Sequence, residues 1–276
     1  MLGFLPVNQR DRRLLGFVAS LLLAGVGAAA AAEISPHRAL YSLSLESAKP
    51  GGGVVGATGA MVYEWGETCD AWTVQQRFRL RLAYDDADPV ELSSTLVSWE
   101  SKDGLRYRFN ERRLKNGEPD EEVRGEARLE GSGKGGTAEF TRPEQSTLTL
   151  APDVLFPTAH TLLLIDRAAR GDNFLLRNVF DGATEDNAGQ ITAVIGQRIE
   201  PGAAKETGPK SPLIEGPSWR VRLAFFPADV KSDEPDYQLG MRLFENGVSG
   251  DMSLDYSDYV IRAKLDEIES LPKPSC

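Results

Sequence analysis

The stretch "ETCDAWTVQQRFRLRL", residues 67–82, alternates apolar and polar side chains. One parity carries the apolar set, which Gln76 alone interrupts: Trp72, Val74, Phe78, Leu80 and Leu82. The other parity carries the polar set: Thr73, Gln75, Arg77, Arg79 and Arg81. Successive side chains of a β-strand point to opposite faces, so a period of two predicts a strand with one buried and one solvated face. Such a strand is typical of an antiparallel sheet.

Three arginines on the solvated face form a candidate ligand or partner surface: Arg77, Arg79 and Arg81. Arginines in a row suit a ligand that carries phosphate or carboxylate groups. They equally suit acidic residues on neighbouring strands, with which they would form ion pairs. The acidic composition of the chain favours the ion pairs.

Most of the chain repeats the strand pattern. The segments with strand character are residues 37–47, 54–65, 90–101, 104–114, 121–130, 173–182, 189–200, 218–227, 236–247 and 251–271. They follow one another at roughly 10 to 14 residues, with Gly, Asn and Asp between them, which predicts an all-β barrel or sandwich. The Pro- and Gly-rich residues 200–218 are predicted to form a mobile surface loop within a single domain, residues 33–276.

One segment, residues 153–173, has helical character. The sequence predicts a helix from about Thr158 to Arg170, with Thr158 as its N-cap and Gly171 as its C′ residue. Residues 162–165 are four consecutive apolar residues, including Leu163, and they cannot all face one side of a helix. We therefore expect the helix to lie against the concave side of the sheet and to close one end of it. His160 on this helix is predicted to be a hydrogen-bonded structural histidine and not a catalytic base.

The N-terminus predicts export. Residues 10–13 read "RDRR", and Leu14–Ala32 follow without a charge and end in a run of alanines. This pattern predicts a signal peptide over residues 1–32, while a single membrane anchor is the alternative. The predicted location is the periplasm, and the mature chain is predicted not to be an integral membrane protein.

The two cysteines are Cys69, early in the chain, and Cys276, its last residue. Disulfides persist in exported proteins. A structural disulfide between the two, a redox-active pair and an intermolecular bond are the three alternatives. The absence of a C-x-x-C motif argues against the redox pair.

The composition excludes several classes of protein. The formal net charge of −10 and the lack of a basic block make the chain a poor nucleic-acid binder. The electrostatic field of this negative charge also disfavours long-range attraction to anionic lipid. The sequence has no motif of a serine hydrolase, zinc protease, nucleotide-binding loop or dinucleotide-binding fold. We therefore expect no enzyme activity, no cofactor and no metal.

Several segments together resemble the EipB-type cell-envelope integrity proteins of Gram-negative periplasms. The resemblance covers residues 63–82, "LFPTAHT" at 155–161, "WRVRLAFF" at 219–226 and residues 243–276. It implies an antiparallel β-spiral or open barrel with a helix on its concave side, similar to periplasmic lipoprotein carriers. It also implies a disulfide between Cys69 and Cys276 and a non-enzymatic role in keeping the envelope intact.

Two molecular functions remain open. In the first, the protein is a scaffold that binds an envelope protein partner. In the second, a cavity between sheet and helix carries a lipid or a lipoprotein acyl chain. The candidate surface for either comprises Arg77, Arg79, Arg81, His160 and Leu163.

Overall fold

The computed structural model describes residues 33–183, 188–203, 208–226 and 234–276. The predicted signal peptide, residues 1–32, lies outside the described residues. The first eight strands are β1 His37–Ala48, β2 Val54–Glu67, β3 Ala71–Tyr84, β4 Val90–Ser101, β5 Arg106–Lys115, β6 Glu118–Leu129, β7 Gly136–Arg142 and β8 Ser146–Leu150. One helix follows, α1 Pro157–Ala169. The remaining strands are β9 Phe174–Val179, β10 Gly189–Ile199, β11 Ser218–Phe226, β12 Tyr237–Phe244, β13 Ser249–Asp255 and β14 Tyr259–Ser270.

The described strands form one antiparallel sheet of fourteen strands. Strands β1 to β8 are a meander in which each strand pairs with the next, and strands β9 to β14 are a second meander. The two meanders meet where β14 pairs with β1. Helix α1 connects the two edge strands of the sheet, β8 and β9. The prediction of an all-β, antiparallel fold is confirmed.

The opening stretch of sequence forms β3 with the faces that its alternation predicts. Trp72 and Leu80 point inward and are buried, whereas Arg77 and Arg81 point outward and are exposed. Pairing with β4 runs without a register shift from Ala71 opposite Ser101 to Leu82 opposite Val90. Each inward position of β3 therefore faces an inward position of β4, and the same holds for the outward positions.

An aromatic cluster joins the two meanders on the inner side of the sheet. Its five rings are Tyr107, Phe109, Phe140, Phe156 and Phe180. Phe156 stacks on Tyr107 with ring centroids 5.2 Å apart, and Phe180, just after β9, meets Phe109 at 5.6 Å. Beside them Leu155 donates to the carbonyl of Asn178 and accepts from the amide of Phe180. The end of β9 thus lies over the inner face of β5, so the curled sheet forms a spiral.

Helix α1 lies on the concave side of the sheet, as the sequence predicts. Its Leu164, Ile165 and Ala168 pack with inward side chains of β9 to β12, and Leu162 packs against Trp65, Trp72 and Val74. Because apolar side chains on both sides of the helix find partners, the helix can be apolar almost all round. No helix in the described residues is both long enough and apolar enough to cross a bilayer.

The ends of α1 differ in part from the prediction. Gly171 follows the C-cap Arg170 with a φ of +86°, as expected of a C′ glycine. Thr158, however, is not the N-cap. Pro157 occupies the first helical position, which its fixed φ favours, so that Phe156 becomes the N-cap and makes no side-chain capping hydrogen bond.

The described part of the segment 200–218 contains one ordered element. Pro212–Ile214 is a turn of 3-10 helix, for which the Ser211 hydroxyl accepts from the amide of Leu213. Ile214 is buried in the core formed by β1, β2 and β14. This part of the segment is therefore attached to the sheet, while the predicted mobility of the segment stays a prediction.

The two chain ends of the described domain are held together. A disulfide joins Cys69, in the turn between β2 and β3, to Cys276, with Cα atoms 5.7 Å apart. The amide of Leu271 donates to the carbonyl of Pro36, and Lys273 pairs with Glu33 at 2.6 Å. The disulfide thus fixes the end of a C-terminal segment, residues 271–276, that belongs to no helix or strand.

We predict that Cys69→Ser lowers the free energy of unfolding by a few kcal/mol and keeps the fold. The bond spans 207 residues, for which the chain-entropy model gives an upper value of about 5 kcal/mol. The fold should survive because its core does not depend on a covalent link. Urea unfolding and circular dichroism of the exported protein and the variant measure this; a variant unfolded at room temperature contradicts it.

Candidate functional site: a chamber on the concave face

The inner face of the sheet is not completely filled. Inward side chains in the middle of β3, β4, β12 and β13 are only partly buried: Phe78, Leu92, Leu96, Leu239, Met241, Met252 and Leu254. Their inward direction follows from the register, since Leu92 lies opposite buried Leu80 and Met252 lies opposite buried Ala263. We call the space lined by these seven residues the chamber. These seven side chains are apolar, so this part of the inner face suits an apolar ligand, although the inward Gln76 and Ser94 beside them are polar.

The two ends of the chamber differ because the strands alternate in direction. The turns after β1 and β13 lie together at one end, where the Lys49 amide donates to the carbonyl of Asp258. The turns after β2 and β4 lie at the other end, together with α1, whose Ala159 lies near Gly104. We call the first end the mouth and the second end the floor.

Tyrosines line the mouth. Phe225 stacks on Tyr237 with centroids 4.3 Å apart, Tyr256 lies 5.9 Å beyond, and Tyr259 follows at 5.3 Å. Burial raises the pKa of Tyr256 to about 12 and raises the pKa of Tyr237 further, although both rings keep accessible surface. Their hydroxyls stay neutral there and can donate hydrogen bonds.

A paired charge cluster lies on the inner face of β5, toward the mouth. The Arg113 guanidinium donates twice to Glu111, at 3.1 and 3.0 Å, once to Glu121 at 2.6 Å and once to the Ala183 carbonyl at 3.1 Å. Nearby, burial raises the pKa of the Asp181 carboxyl against the effect of the Ala183 amide, which donates to it at 2.9 Å. Arg113 is fully engaged, so the cluster orders the segment after β9, while its two glutamates outnumber the one arginine and leave an excess of negative charge.

A buried carboxylate holds the floor. Glu100 of β4 is 2% exposed, and its two oxygens accept the amides of Thr158 and Ala159, each at 2.7 Å. These amides belong to the first turn of α1, where a helix leaves its N–H groups without internal partners. Burial raises the pKa of Glu100 to about 7 despite those hydrogen bonds. Glu100 therefore replaces the capping side chain that Phe156 cannot provide.

His160 is buried near this cap, at 4% exposed. Burial, with a smaller effect of Arg177, lowers its pKa to about 4, so the ring is neutral. Its Nε2 atom has no hydrogen-bond partner among the described residues. The hydrogen-bonded histidine that the sequence predicts is thus not seen at this nitrogen. His37, also buried, does make such a bond, from Nδ1 to the Ser35 carbonyl at 2.7 Å.

The structure does not bring the other sequence-predicted residues to the chamber. Arg77, Arg79 and Arg81 lie on the outer face of the sheet. Arg79 pairs with Glu91 at 2.8 Å, whereas the other two form no ion pair with any described residue. Leu163 is partly buried against the core between α1 and β9 to β12. Across the described ranges, no group of His, Cys, Asp and Glu side chains is arranged to hold a metal ion.

Comparisons with known proteins agree with this architecture. A family model described as EipB-like matches residues 28–272. The cell envelope integrity protein EipB of Brucella abortus (strain 2308) is 32% identical over 244 residues, which cover 88% of this chain and 86% of the relative.

A solved structure is similar over the same share of the chain. It is a crystal structure of a beta-barrel-like protein of a domain of unknown function from Brucella abortus. The TM-score is 0.80 and the identity 30%, with 88% of this chain and all of the other chain covered.

We predict that Glu100→Gln gains stability relative to the parent protein as the pH rises from 4.5 to 7. The raised pKa means that the folded protein keeps a proton which the unfolded chain releases above pH 4.5, so the parent loses stability over this range. The glutamine of the variant cannot titrate. The difference in the free energy of unfolding between variant and parent should therefore change by about 3 kcal/mol over this pH range. Urea unfolding at several pH values measures it; a difference that does not change with pH contradicts the buried carboxyl.

His160→Gln should show the opposite pH dependence. The lowered pKa of the buried ring means that the unfolded chain binds a proton between pH 6.5 and 4 that the folded protein refuses. The parent therefore loses stability on acidification. Between pH 6.5 and 4, the free energy of unfolding of the variant should rise relative to that of the parent by about 3 kcal/mol. In the parent the titrations of Glu100 and His160 change the stability in opposite directions with pH. Their separate contributions are therefore measured only in the two single variants. Equal slopes in the two variants would contradict both assignments.

Proposed function

This chain belongs to the EipB-like family, and we propose that it serves the integrity of the cell envelope by holding the acyl chain of a lipid or lipoprotein in the chamber. The observation that carries the proposal is the set of apolar, inward, partly accessible side chains. In a fully packed core such side chains would be buried. The role is non-enzymatic and its place is the periplasm, where the predicted signal peptide would deliver the protein.

The chamber walls match hydrocarbon. Two methionines, Met241 and Met252, face each other across β12 and β13, and their flexible side chains adapt to chains of different shape. Phe78 and Leu92 provide apolar surface on β3 and β4. Each methylene group that leaves water for such walls contributes about 0.8 kcal/mol.

The mouth matches the polar end of an amphiphile. The hydroxyls of Tyr237 and Tyr256 are neutral donors, so they can bind an ester or a headgroup without introducing charge. The guanidinium of Arg113 is already paired with two glutamates. Because two glutamates face this one arginine, we expect selection for an apolar tail and no attraction of an anionic headgroup.

A second function, the scaffold for an envelope protein, is favoured by a different observation. Phe174, Leu176 and Val194 are 55%, 39% and 57% exposed on the outer face of β9 and β10, and Val194 lies directly opposite Phe174. Strand β9 is an edge strand of the sheet. An exposed apolar patch beside an open strand edge is typical of a surface that receives an extended segment of a partner.

We predict that Met252→Trp abolishes uptake of a fluorescent fatty acid and keeps the melting temperature near that of the parent. If the chamber is open, the indole fills space that the ligand would occupy. If the inner face were packed, overpacking would cost about 1–3 kcal/mol. Val55→Trp is the matched control, because Val55 is 59% exposed on β2. A destabilised Met252→Trp with unchanged uptake contradicts the chamber.

Native mass spectrometry of protein purified from its own periplasm separates the two functions. A bound lipid that Met252→Trp lacks supports the carrier. A bound protein with no lipid supports the scaffold.

A further inference from the structure

A basic surface covers the outer face of β3 to β6, and we propose that it docks the protein onto the anionic surface of a phospholipid bilayer. This surface lies on the opposite side of the sheet from the chamber, so the proposal goes beyond ligand binding. Its outward arginines are Arg77, Arg79, Arg81, Arg106, Arg108, Arg112, Arg124 and Arg128. We call them the arginine surface.

The register places these arginines on one continuous face. Arg77 lies opposite Thr95 of β4, which lies opposite Arg112 of β5. One row along, Val97 of β4 lies opposite Asn110, which lies opposite Arg124 of β6. Neighbouring strands are about 4.8 Å apart, so arginines two strands apart are separated by about 10 Å.

Charge is segregated on this face. On the outward positions of residues 73–81, 91–99, 106–112 and 122–128 there are eight arginines and three glutamates, Glu91, Glu122 and Glu126. The chain as a whole carries a net charge of −10. The negative charge that dominates the composition is therefore largely absent from this face.

Most of these arginines have no ionic partner in the part of the chain that the structure describes. Arg79 pairs with Glu91 at 2.8 Å and Arg108 with Glu126 at 3.6 Å. No ion pair within the described ranges involves the other six, which are Arg77, Arg81, Arg106, Arg112, Arg124 and Arg128. The ion pairs that the sequence favours for the β3 arginines thus account for Arg79 alone, and several guanidinium groups remain available to a ligand.

Two apolar side chains of β4, Val97 and Trp99, lie among these arginines. Val97 is 44% exposed, and Trp99 beside it is flanked by Arg106 and Arg108, whose guanidinium carbons lie 5.5 and 5.1 Å from the ring centroid. Proteins place tryptophan and arginine at the headgroup level of a membrane, and an exposed aliphatic side chain such as that of Val97 can contact the lipid beside them.

The shape of the surface favours a bilayer over a single anion. The arginines are spread over three strands, β3, β5 and β6, whereas a site for one phosphate would gather its donors around a point. Lipid headgroups move laterally, so many of them can adjust to a dispersed array. The acidic remainder of the protein acts little at contact, since charges are screened beyond about 8 Å at physiological salt. The arginine surface therefore acts after approach, while the net charge opposes attraction from a distance.

The test uses two double variants with the same change in net charge. Arg77→Glu/Arg124→Glu alters the arginine surface, and Arg220→Glu/Arg222→Glu is the matched control on the outer face of β11. Co-sedimentation is measured with vesicles of mixed phosphatidylglycerol and phosphatidylcholine and with vesicles of phosphatidylcholine alone. Each arginine near an anionic surface strengthens binding by about fivefold, so the first variant should lose at least about tenfold in affinity.

We expect the parent to prefer the anionic vesicles and the control variant to bind them within about twofold of the parent. Circular dichroism confirms folding, and Arg77→Gln/Arg124→Gln, which adds no negative charge, should show a smaller loss in the same direction. Equal loss in the two glutamate variants would assign binding to net charge and overturn the proposal. So would equal binding to both vesicle types, or binding to soluble inositol hexakisphosphate with none to vesicles. Fatty-acid uptake, measured on the same variants, should stay unchanged, which separates this proposal from the function of the chamber.

Discussion

The fold depends on the pair of hydrogen bonds by which Glu100 caps helix α1. Its carboxylate oxygens each accept a helix amide at 2.7 Å, deep inside the protein. Without this partner two N–H groups of the first turn would lose their acceptor, and for the buried amide of Thr158 this costs about 1–3 kcal/mol. Glu100 belongs to the first meander and α1 leads into the second, so the contact fixes how the two halves meet. The aromatic cluster of Tyr107 and Phe156 lies directly beside it and adds apolar burial to the same junction.

This arrangement explains why a chamber can exist at all. The two meanders are joined by backbone hydrogen bonds between β14 and β1, and at the other side by the cap and the aromatic cluster. Neither junction needs side chains to meet across the middle of the inner face. The inward residues between the junctions, such as Leu96 and Met241, can therefore keep accessible surface without loss of the overall fold.

The residue pattern predicts the local features, but it does not predict the helix cap or the mouth, which join distant segments. The alternation of β3, the helix near residues 158–170 and its C′ residue Gly171 follow from neighbouring positions. The cap does not, because rules for helix starts consider the adjacent residues and Glu100 lies 57 positions before the helix. A signal was present, since Glu100 continues the inward parity of Leu92 and Leu96 and a charged side chain there needs a buried partner. The tyrosines of the mouth come from separate strands, and only the register brings them together.

Strand β3 shows how one segment can serve two surfaces. Phe78 points into the chamber, while its neighbours Arg77 and Arg79 belong to the arginine surface on the other side. A shift of one residue in register would exchange these faces, placing arginines in the apolar interior and phenylalanine in water. The pairing of β3 with β4 is continuous from Ala71 to Leu82. On the other side of β3, the only register shift with β2 is at the start of β2, between Val54 and Gly56. The unbroken register thus protects both surfaces at once, because the exposed arginines and the buried apolar side chains favour the same alignment.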